Sequence, residues 1–278
     1  MTRRRLDQEL LRRGLCPSRS AARSLIETGR VLVGGSVATK PARMVDPGES
    51  LVVQGDPPRF VSRGGDKLAA ALDGFGIDPA GLVALDAGAS TGGFTDCLLQ
   101  HGVTRVVAVD VGHGQLDQRL RADSRVDVRE RTNIRHLDPG QLPTAVDIVV
   151  ADLSFISLRT VLPQLVSLAR PGADLVLLVK PQFEAGRVEA SRGRGIIRDP
   201  AVWNRVLDEV LGAASACNLG ILGLMASPLA GADGNREFLL HARVRPVAAD
   251  EHGRDVSEPD RDALVAAAIA TAQGGAHP

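Results

Sequence analysis

The sequence predicts an α/β protein with a doubly wound, mostly parallel sheet, preceded by a small α+β unit. Between residues 82 and 207, near-continuous apolar runs alternate with helical patterns, as expected for strands buried on both faces and joined by helices. Before them, two short amphipathic segments precede short valine- and leucine-rich runs, which is typical of a separate small unit. We therefore expect a Rossmann-like second unit behind a small first one.

The charge is divided unevenly along the chain. Overall, 33 Lys and Arg residues balance 33 Asp and Glu residues over 278 positions. Residues 1–60 nevertheless carry 11 basic and 6 acidic side chains, residues 61–245 carry 20 and 21, and residues 246–278 carry 2 and 6. Because Gly55-Asp56-Pro57-Pro58 disfavours regular structure, we place the first unit at 1–58, a linker at 59–61 and the second unit at 62–278.

Composition excludes several classes of protein. A hydrophobic content of 44% excludes wholesale disorder, and six Phe, one Trp and no Tyr disfavour a row of stacking aromatics. Three widely spaced cysteines without a CxxC indicate reduced thiols rather than a disulfide framework or a zinc site. No signal core or membrane-spanning run is present, so we expect a soluble cytoplasmic protein with no membrane partner and no obligate protein partner.

In the first unit, basic residues concentrate on two short predicted helices. Leu6, Leu10 and Leu11 are expected on one face of the first helix, which ends at Gly14. An arginine-rich face can be merely solvated, but its concentration on the helices favours contact with nucleic-acid phosphates. The candidate contacts here are Arg3, Arg4, Arg5, Arg12, Arg19, Arg23 and Lys40.

In the second unit, polar residues stand at the ends of predicted strands, where open α/β sheets bind ligands. They are Asp86, Asp110, Asp152 and Lys180. The loop after Asp86 is Gly88-x-x-x-Gly92-Gly93, which is neither GxGxxG nor a phosphate loop. These glycines could merely connect a strand to a helix. An acid before them nevertheless suits a cationic amino-acid ligand such as S-adenosylmethionine, with Asp110 accepting hydrogen bonds from ribose hydroxyls.

Lys180 and two further charged residues are each open to a functional and to a purely structural interpretation. Lys180 ends a buried strand, which is costly without a role, although its ammonium could reach water along its aliphatic stem. Lys67 could be an ordinary surface residue of a helix. Glu237, just before an apolar run, could be a salt-bridge partner at a strand end.

The first unit resembles a known RNA-binding module. Its two helices and the run GRVLVGGSVATKPARMVDPGESLVV are similar to the alpha-L RNA-binding domain first described in ribosomal protein S-four, over residues 4–54. The resemblance implies binding to structured RNA through backbone and shape.

The second unit resembles the FtsJ-like RNA ribose 2′-O-methyltransferases. Their Lys-Asp-Lys-Glu tetrad is matched by Lys67, Asp152, Lys180 and Glu237. The runs VSRGGDKL, LDAGASTGGFTDCLL, DVGHGQL, VVADLSFISL, VKPQFE and GNREF, behind the RNA-binding unit, are closer still to the TlyA family. Two regions depart from that family: Arg59-Phe60-Val61, where a tryptophan-bearing tetrapeptide is common, and Gly186 to Gly195, where a lysine- and glycine-rich loop is expected.

The resemblance implies S-adenosylmethionine-dependent 2′-O-methylation of cytidine in ribosomal RNA of both subunits, with rRNA or ribosomal subunits as partners. Residues implied to bind the methyl donor are Asp86, Gly88, Ser90, Thr91, Gly92, Gly93, Phe94, Asp110 and Asn133. Further RNA contacts are expected from Arg63 and Phe155, the latter as a stacker for an extruded base, unless it is an ordinary core residue. Arg187, Arg192 and Arg194 could add backbone contacts or belong to a solvated loop.

As a mechanism we expect in-line methyl transfer with Lys180 as general base. A lysine accepts a proton only in its neutral form, which a neighbouring cation, here Lys67, would favour. Asp152 is expected to orient the donor or Lys180, and Glu237 to hold a lysine or the ribose.

Three alternative functions stay open. A membrane-active hemolysin, as the historical family name suggests, would need a spanning or strongly amphipathic segment. A non-catalytic rRNA-binding assembly factor would not need an intact tetrad. A nicotinamide-dependent oxidoreductase is disfavoured by the glycine pattern.

Overall fold

The protein is described by a computed structural model. It covers residues 3–16, 19–55, 58–142, 144–186, 189, 195–231, 234–246 and 259–274. The chain forms two compact units, residues 1–62 and 63–278. The predicted linker at 59–61 falls within the first of these, and Asp56 and Pro57 lie outside the described residues.

The first unit packs two helices and short strands around a small core. Its elements are β1 (Arg4–Arg5), α1 (Leu6–Arg12), α2 (Arg19–Glu27), β2 (Val31–Val33), β3 (Ser36–Val37), β4 (Met44–Val45) and β5 (Leu51–Val53). Strands β3, β2 and β5 form one antiparallel sheet, and β1 pairs with β4. Of the three leucines predicted on one face of the first helix, Leu6 and Leu10 are buried and Leu11 is exposed. The inward positions next to them are taken by Asp7 and Glu9.

The second unit alternates strands and helices. Its elements are α3 (Arg63–Phe75), β6 (Val83–Ala87), α4 (Gly93–Gln100), β7 (Arg105–Val109), α5 (Gln118–Ala122), β8 (Val126–Arg129), β9 (Val146–Ala151), α6 (Leu158–Leu168), β10 (Ala169–Val179), α7 (Pro181–Glu184), α8 (Pro200–Ala216), β11 (Leu219–Ala226), β12 (Phe238–Val244) and α9 (Arg261–Gly274). Short 3₁₀ helices cover Ile134–His136 and Pro139–Gln141.

A seven-stranded sheet organises this unit, in the order β11-β12-β10-β9-β6-β7-β8. Strand β12 is antiparallel to both of its neighbours, and the pairs from β10 to β8 are parallel. Residues of β6, of β9 and of the second half of β10 are almost completely buried, because helices cover both faces of such sheets. The predicted doubly wound α/β class is confirmed.

Candidate active site

Five adjacent strands bring the predicted polar residues to one edge of the sheet. Asp110, Asp152 and Lys180 directly follow β7, β9 and β10. Because Val179 of β10 is in register with Phe238 of β12, Lys180 and Glu237 extend neighbouring strands at the same edge. Asp86 lies one residue before the end of β6, and paired strands are about 4.8 Å apart. The strands therefore place the glycine loop that follows β6, which is the predicted donor loop, beside the tetrad's Asp152, Lys180 and Glu237.

Close packing within the protein requires glycine at two positions of the glycine loop between β6 and α4. Gly88 has φ of +89°, and a Cβ there would lie 2.6 Å from the main-chain oxygen of Asp152. Gly92, with φ of +97°, precedes α4, and a Cβ there would overlap Leu120 and lie 2.8 Å from Leu116. Any larger residue would push this loop away from the neighbouring strand end or from α5.

Asp110 anchors the glycine loop to the turn that follows β7. Its Oδ2 accepts the N–H of Ser90 at 2.8 Å and its Oδ1 accepts the N–H of Gly112 at 2.6 Å. Ser90 has φ of +48°, and its hydroxyl donates to Gln115 at 3.3 Å. Each carboxylate oxygen of Asp110 has a second lone pair, so the predicted acceptance of ribose hydroxyls is compatible with these bonds.

Residues around Asp110 complete a candidate surface for a nucleoside. Val111 is 70% exposed, an apolar side chain directly after the acid that sequence reasoning missed. Thr132 donates its N–H to the main-chain oxygen of Asp110 at 2.9 Å, which brings the exposed Asn133 to this region. The amide oxygen of Asn133 accepts the N–H of Arg135 at 3.1 Å, so its NH₂ group is the part suited to a ligand. Thr91 accepts the N–H of Asp117 through its main-chain oxygen.

Asp86, predicted to contact the methyl donor, is fully buried. Its Oδ2 accepts the hydroxyl of Thr95 at 2.6 Å, while Oδ1 is buried without a hydrogen-bond partner among the described residues. Burial, together with the negative charges of Asp152 and Asp110, raises the pKa of Asp86 to about 7. A carboxylate with no exposed surface acts on a ligand chiefly through its charge, and the predicted contact of Asp86 with the donor stays a prediction. The ring of Phe94 is likewise buried, which leaves its main chain for any contact.

The four tetrad residues form two ion pairs. Lys67 Nζ lies 2.5 Å from Oε2 of Glu237, and their side chains are 8% and 3% exposed. Lys180 Nζ lies 2.5 Å from Oδ1 of Asp152, and their side chains are 11% and 24% exposed. The contact of Lys180 with Asp152 is an ion pair whose geometry is not that of a hydrogen bond. Lys180 Nζ donates its hydrogen bond to the hydroxyl of Ser154 at 3.0 Å. Glu237 thus pairs with Lys67, and Asp152 pairs with Lys180.

Phe155 is not a core residue. Its ring is 91% exposed, and its φ of +64° is a left-handed conformation that costs a non-glycine residue about 1–2 kcal/mol. The ring lies 5.2 Å from that of Phe183, tilted by 51°. Lys180 Nζ is 5.9 Å from the centroid of Phe183, so the ring that contacts Phe155 also stands beside the lysine. Phe183 was missed by sequence reasoning, although it lies in the run VKPQFE.

Most predicted RNA contacts of the first unit are paired with carboxylates. Buried Asp7 binds Arg5 at 3.0 Å and Arg19 at 3.3 Å, and buried Glu9 binds Arg12 at 2.6 Å. Two exposed pairs join Arg3 to Asp46 and Arg23 to Glu27.

Arg4 and Lys40 are exposed and form no ion pair within the part of the chain that the structure describes. Arg63, the first residue of α3, is also exposed. Arg187, Arg192 and Arg194 lie outside the described residues. The helices that the structure describes include none with the length and apolar character needed to cross a membrane.

Comparisons with known proteins agree with this geometry. Residues 60–244 match the FtsJ-like methyltransferase model and residues 4–51 the S4 domain model. The "16S/23S rRNA (cytidine-2'-O)-methyltransferase TlyA" of Mycobacterium tuberculosis is 50% identical over 87% of this chain and 91% of its own. "Hemolysin A" of Brachyspira hyodysenteriae is 39% identical over 85% and 98%.

A solved structure from Streptococcus thermophilus, of a protein whose name contains the word hemolysin, has a TM-score of 0.76 at 36% identity. It covers 99% of this chain and 97% of its own. The matched family model spans both ion pairs and the glycine loop. The chain is therefore a methyltransferase of the FtsJ-like family, with an S4 domain at its N-terminus, and a relative of the TlyA proteins.

Proposed function

We propose that the protein methylates the 2′-hydroxyl of cytidine ribose in ribosomal RNA of both subunits, with Lys180 as general base. One observation carries this proposal. The glycine loop, Asp110 and the Lys180–Asp152 pair follow adjacent strands at one sheet edge, so a donor and an acceptor hydroxyl can be held together there. The name of the M. tuberculosis relative supports the choice of cytidine and of both rRNAs.

The residues present fit S-adenosylmethionine, the donor of this family. Bound there, it supplies a methyl group on a positively charged sulfur. Asp110 and Asn133 are positioned for the ribose and the adenine edge, and exposed Val111 offers an apolar surface for the adenine face. The unpartnered, buried Oδ1 of Asp86 makes this edge of the sheet favourable for a cation.

Lys180 is placed to take the proton of the attacking hydroxyl. Its side chain is mostly buried, and Ser154 and Asp152 fix the position of Nζ. To act as the base, Lys180 must be neutral when the hydroxyl attacks, because an ammonium group has no lone pair that could accept a proton. Lys67, the neighbouring cation expected from the sequence, lies in an ion pair with Glu237.

The RNA would be held in two ways. Exposed Arg4 and Lys40 of the S4 domain, together with half-exposed arginines held by Asp7 and Glu9, contact phosphates. Arg63 adds a positive charge at the start of α3. At the sheet edge, the exposed ring of Phe155 stacks on the target base once the base has left its helix.

The test is a methylation assay with labelled donor on purified small subunits, large subunits and protein-free rRNA, followed by mapping of 2′-O-methyls. Label on cytidine ribose in RNA of both subunits is expected. Label in one subunit only would overturn the proposal that both subunits are targets. Label on a base would overturn the proposal that the ribose is methylated. RNA binding without label would indicate an assembly factor, and leakage of liposomes without label a membrane-active protein.

A further inference from the structure

We propose that Glu184 is a positioning residue for the acceptor base: it fixes the loop from Asp152 to Ser157, which we call the acceptor loop, against the segment that carries Lys180. This inference rests on the proposed function, because it assigns to Phe155 the stacking of the target base. Neither the tetrad nor the donor loop includes Glu184.

The carboxylate of Glu184 is 3% exposed and bonds to the end of the acceptor loop. Its Oε2 accepts the hydroxyl of Ser157 at 2.5 Å, and its Oε1 accepts the N–H of Leu158 at 2.6 Å. Leu158 begins α6, so the carboxylate also satisfies one of the free N–H groups of that helix at its positive end. Arg159 adds a bond from its guanidinium to the main-chain oxygen of Glu184 at 2.9 Å.

The other end of the acceptor loop is held by the sheet. The N–H of Asp152 donates to the main-chain oxygen of Ala87 at 3.1 Å, beside the donor loop. Between these two anchors stands Phe155, with a left-handed backbone and an almost fully exposed ring. Burial cannot hold this ring in place, so its position depends on the two anchors, on the bond from Lys180 to Ser154 and on the contact with the ring of Phe183.

Glu184 shares the short helix α7 with the other half of the site. Lys180 directly precedes α7, and Phe183, whose ring contacts that of Phe155, directly precedes Glu184. A single buried carboxylate thereby couples the general base, the paired rings and the acceptor loop. Loss of that carboxylate should allow Phe155 to relax from its strained conformation while the donor loop is unchanged.

The experiment compares Glu184→Ala and Glu184→Gln, each in the wild-type and in the Phe155→Ala background, by steady-state methylation of rRNA. Glu184→Ala should lower kcat/KM for rRNA at least tenfold and leave donor affinity within twofold. The glutamine should restore part of the loss, since its amide oxygen accepts one of the two bonds. In the Phe155→Ala background, Glu184→Ala should lower kcat/KM for rRNA by less than about twofold.

Glu209→Gln is the matched control. Glu209 also binds Arg159, at 2.6 Å, but makes no bond with Ser157 or Leu158. This variant should keep kcat/KM within twofold. An equal loss from Glu184→Ala with and without Phe155 would overturn the proposal, as would a parallel loss of donor affinity.

A second measurement does not depend on methylation. Chymotrypsin should cleave after Phe155 faster in Glu184→Ala than in the wild type or Glu209→Gln, because the freed loop opens more often. Unchanged cleavage would overturn the anchoring role. A wild-type protein that fails to methylate rRNA would instead refute the proposed function, and the cleavage rates would still decide whether Glu184 holds the loop.

Discussion

Glu9 in the first unit and Asp86 in the second are both carboxylates with almost no exposed surface, but their surroundings are opposite. Glu9 accepts hydrogen bonds from Arg12 and Arg13, which lower its pKa to about 2. Among the described residues Asp86 has the hydroxyl of Thr95 as its partner and no cation, and burial raises its pKa to about 7. The S4 domain pairs a buried carboxylate with arginines, whereas the methyltransferase unit has a buried carboxyl without a compensating cation beside the glycine loop.

This difference separates the basic residues of the two units by role. Arginines of the first unit are partly engaged by carboxylates of their own domain, so each contributes a fraction of the RNA affinity. Lysines of the second unit are held by single carboxylates at a defined edge of the sheet. Substitutions in the first unit should therefore have graded effects on RNA affinity, and substitutions of the site lysines in the second unit should have all-or-none effects on methylation.

The largest expected effect is that of Lys180→Ala. It should lower the single-turnover rate of methylation by about 10³-fold, because removal of a general base costs on the order of 10²–10⁴-fold. Donor and RNA affinities should stay within threefold. Lys180→Arg is the control, since it keeps the charge but cannot act as a base at neutral pH. A variant with arginine that retained more than a tenth of the wild-type rate would show that charge, not proton transfer, is the role.

Local sequence patterns located the strand ends of this site but not the pairing of its charged residues, which was expected only from the family resemblance. Apolar runs end where burial ends, which is why Asp110, Asp152 and Lys180 could be assigned to strand ends from the positions of those runs. The pair of Lys67 and Glu237 joins residues 170 positions apart, and no local pattern encodes such a contact. The exposure of Phe155 was equally hidden, because an apolar residue beside a strand is ordinarily buried. Leu11 is an apolar residue that is exposed, because the acids Asp7 and Glu9 occupy buried positions of the same helix.

The second prediction concerns Asp86→Asn and the pH dependence of stability. A carboxyl whose folded-state pKa is raised stabilises the fold below about pH 4, and this contribution is lost as the pH rises through 7. The loss amounts to at most about 4 kcal/mol. Urea unfolding followed by Trp203 fluorescence should show this decline in the wild type, and the asparagine variant should lack it. Equal slopes in the two proteins would contradict the assignment.

The same substitution should alter donor binding. A cationic donor favours the ionised form of Asp86, so wild-type affinity should rise between pH 5.5 and 7.5 as that carboxyl loses its proton. Calorimetric titration with S-adenosylmethionine measures this rise. In Asp86→Asn the affinity should be weaker at pH 7.5 and nearly independent of pH in this range.

Glu9→Gln should produce the opposite pH dependence in the first unit. A carboxyl with a lowered pKa stabilises the fold above its ordinary value of 4.5, and this stabilisation is lost as the pH falls towards 2. Hydrogen exchange of α1 in the full chain should be faster in the variant at pH 7, and this difference should shrink at pH 3. Unfolding reported by Trp203 should be unchanged, since that residue belongs to the second unit.

The smallest effects are expected at the exposed cations of the S4 domain. Arg4→Gln with Lys40→Gln should weaken rRNA binding about tenfold at physiological salt and reduce the salt slope by about two, as for two lost phosphate contacts. The matched control removes an ion pair without changing the net charge: Arg23→Gln with Glu27→Gln should leave affinity within twofold. If the control weakens binding as much as the first variant, then paired arginines contact phosphates as fully as unpaired ones. In that case the carboxylates of this domain would orient the arginines for RNA rather than neutralise them.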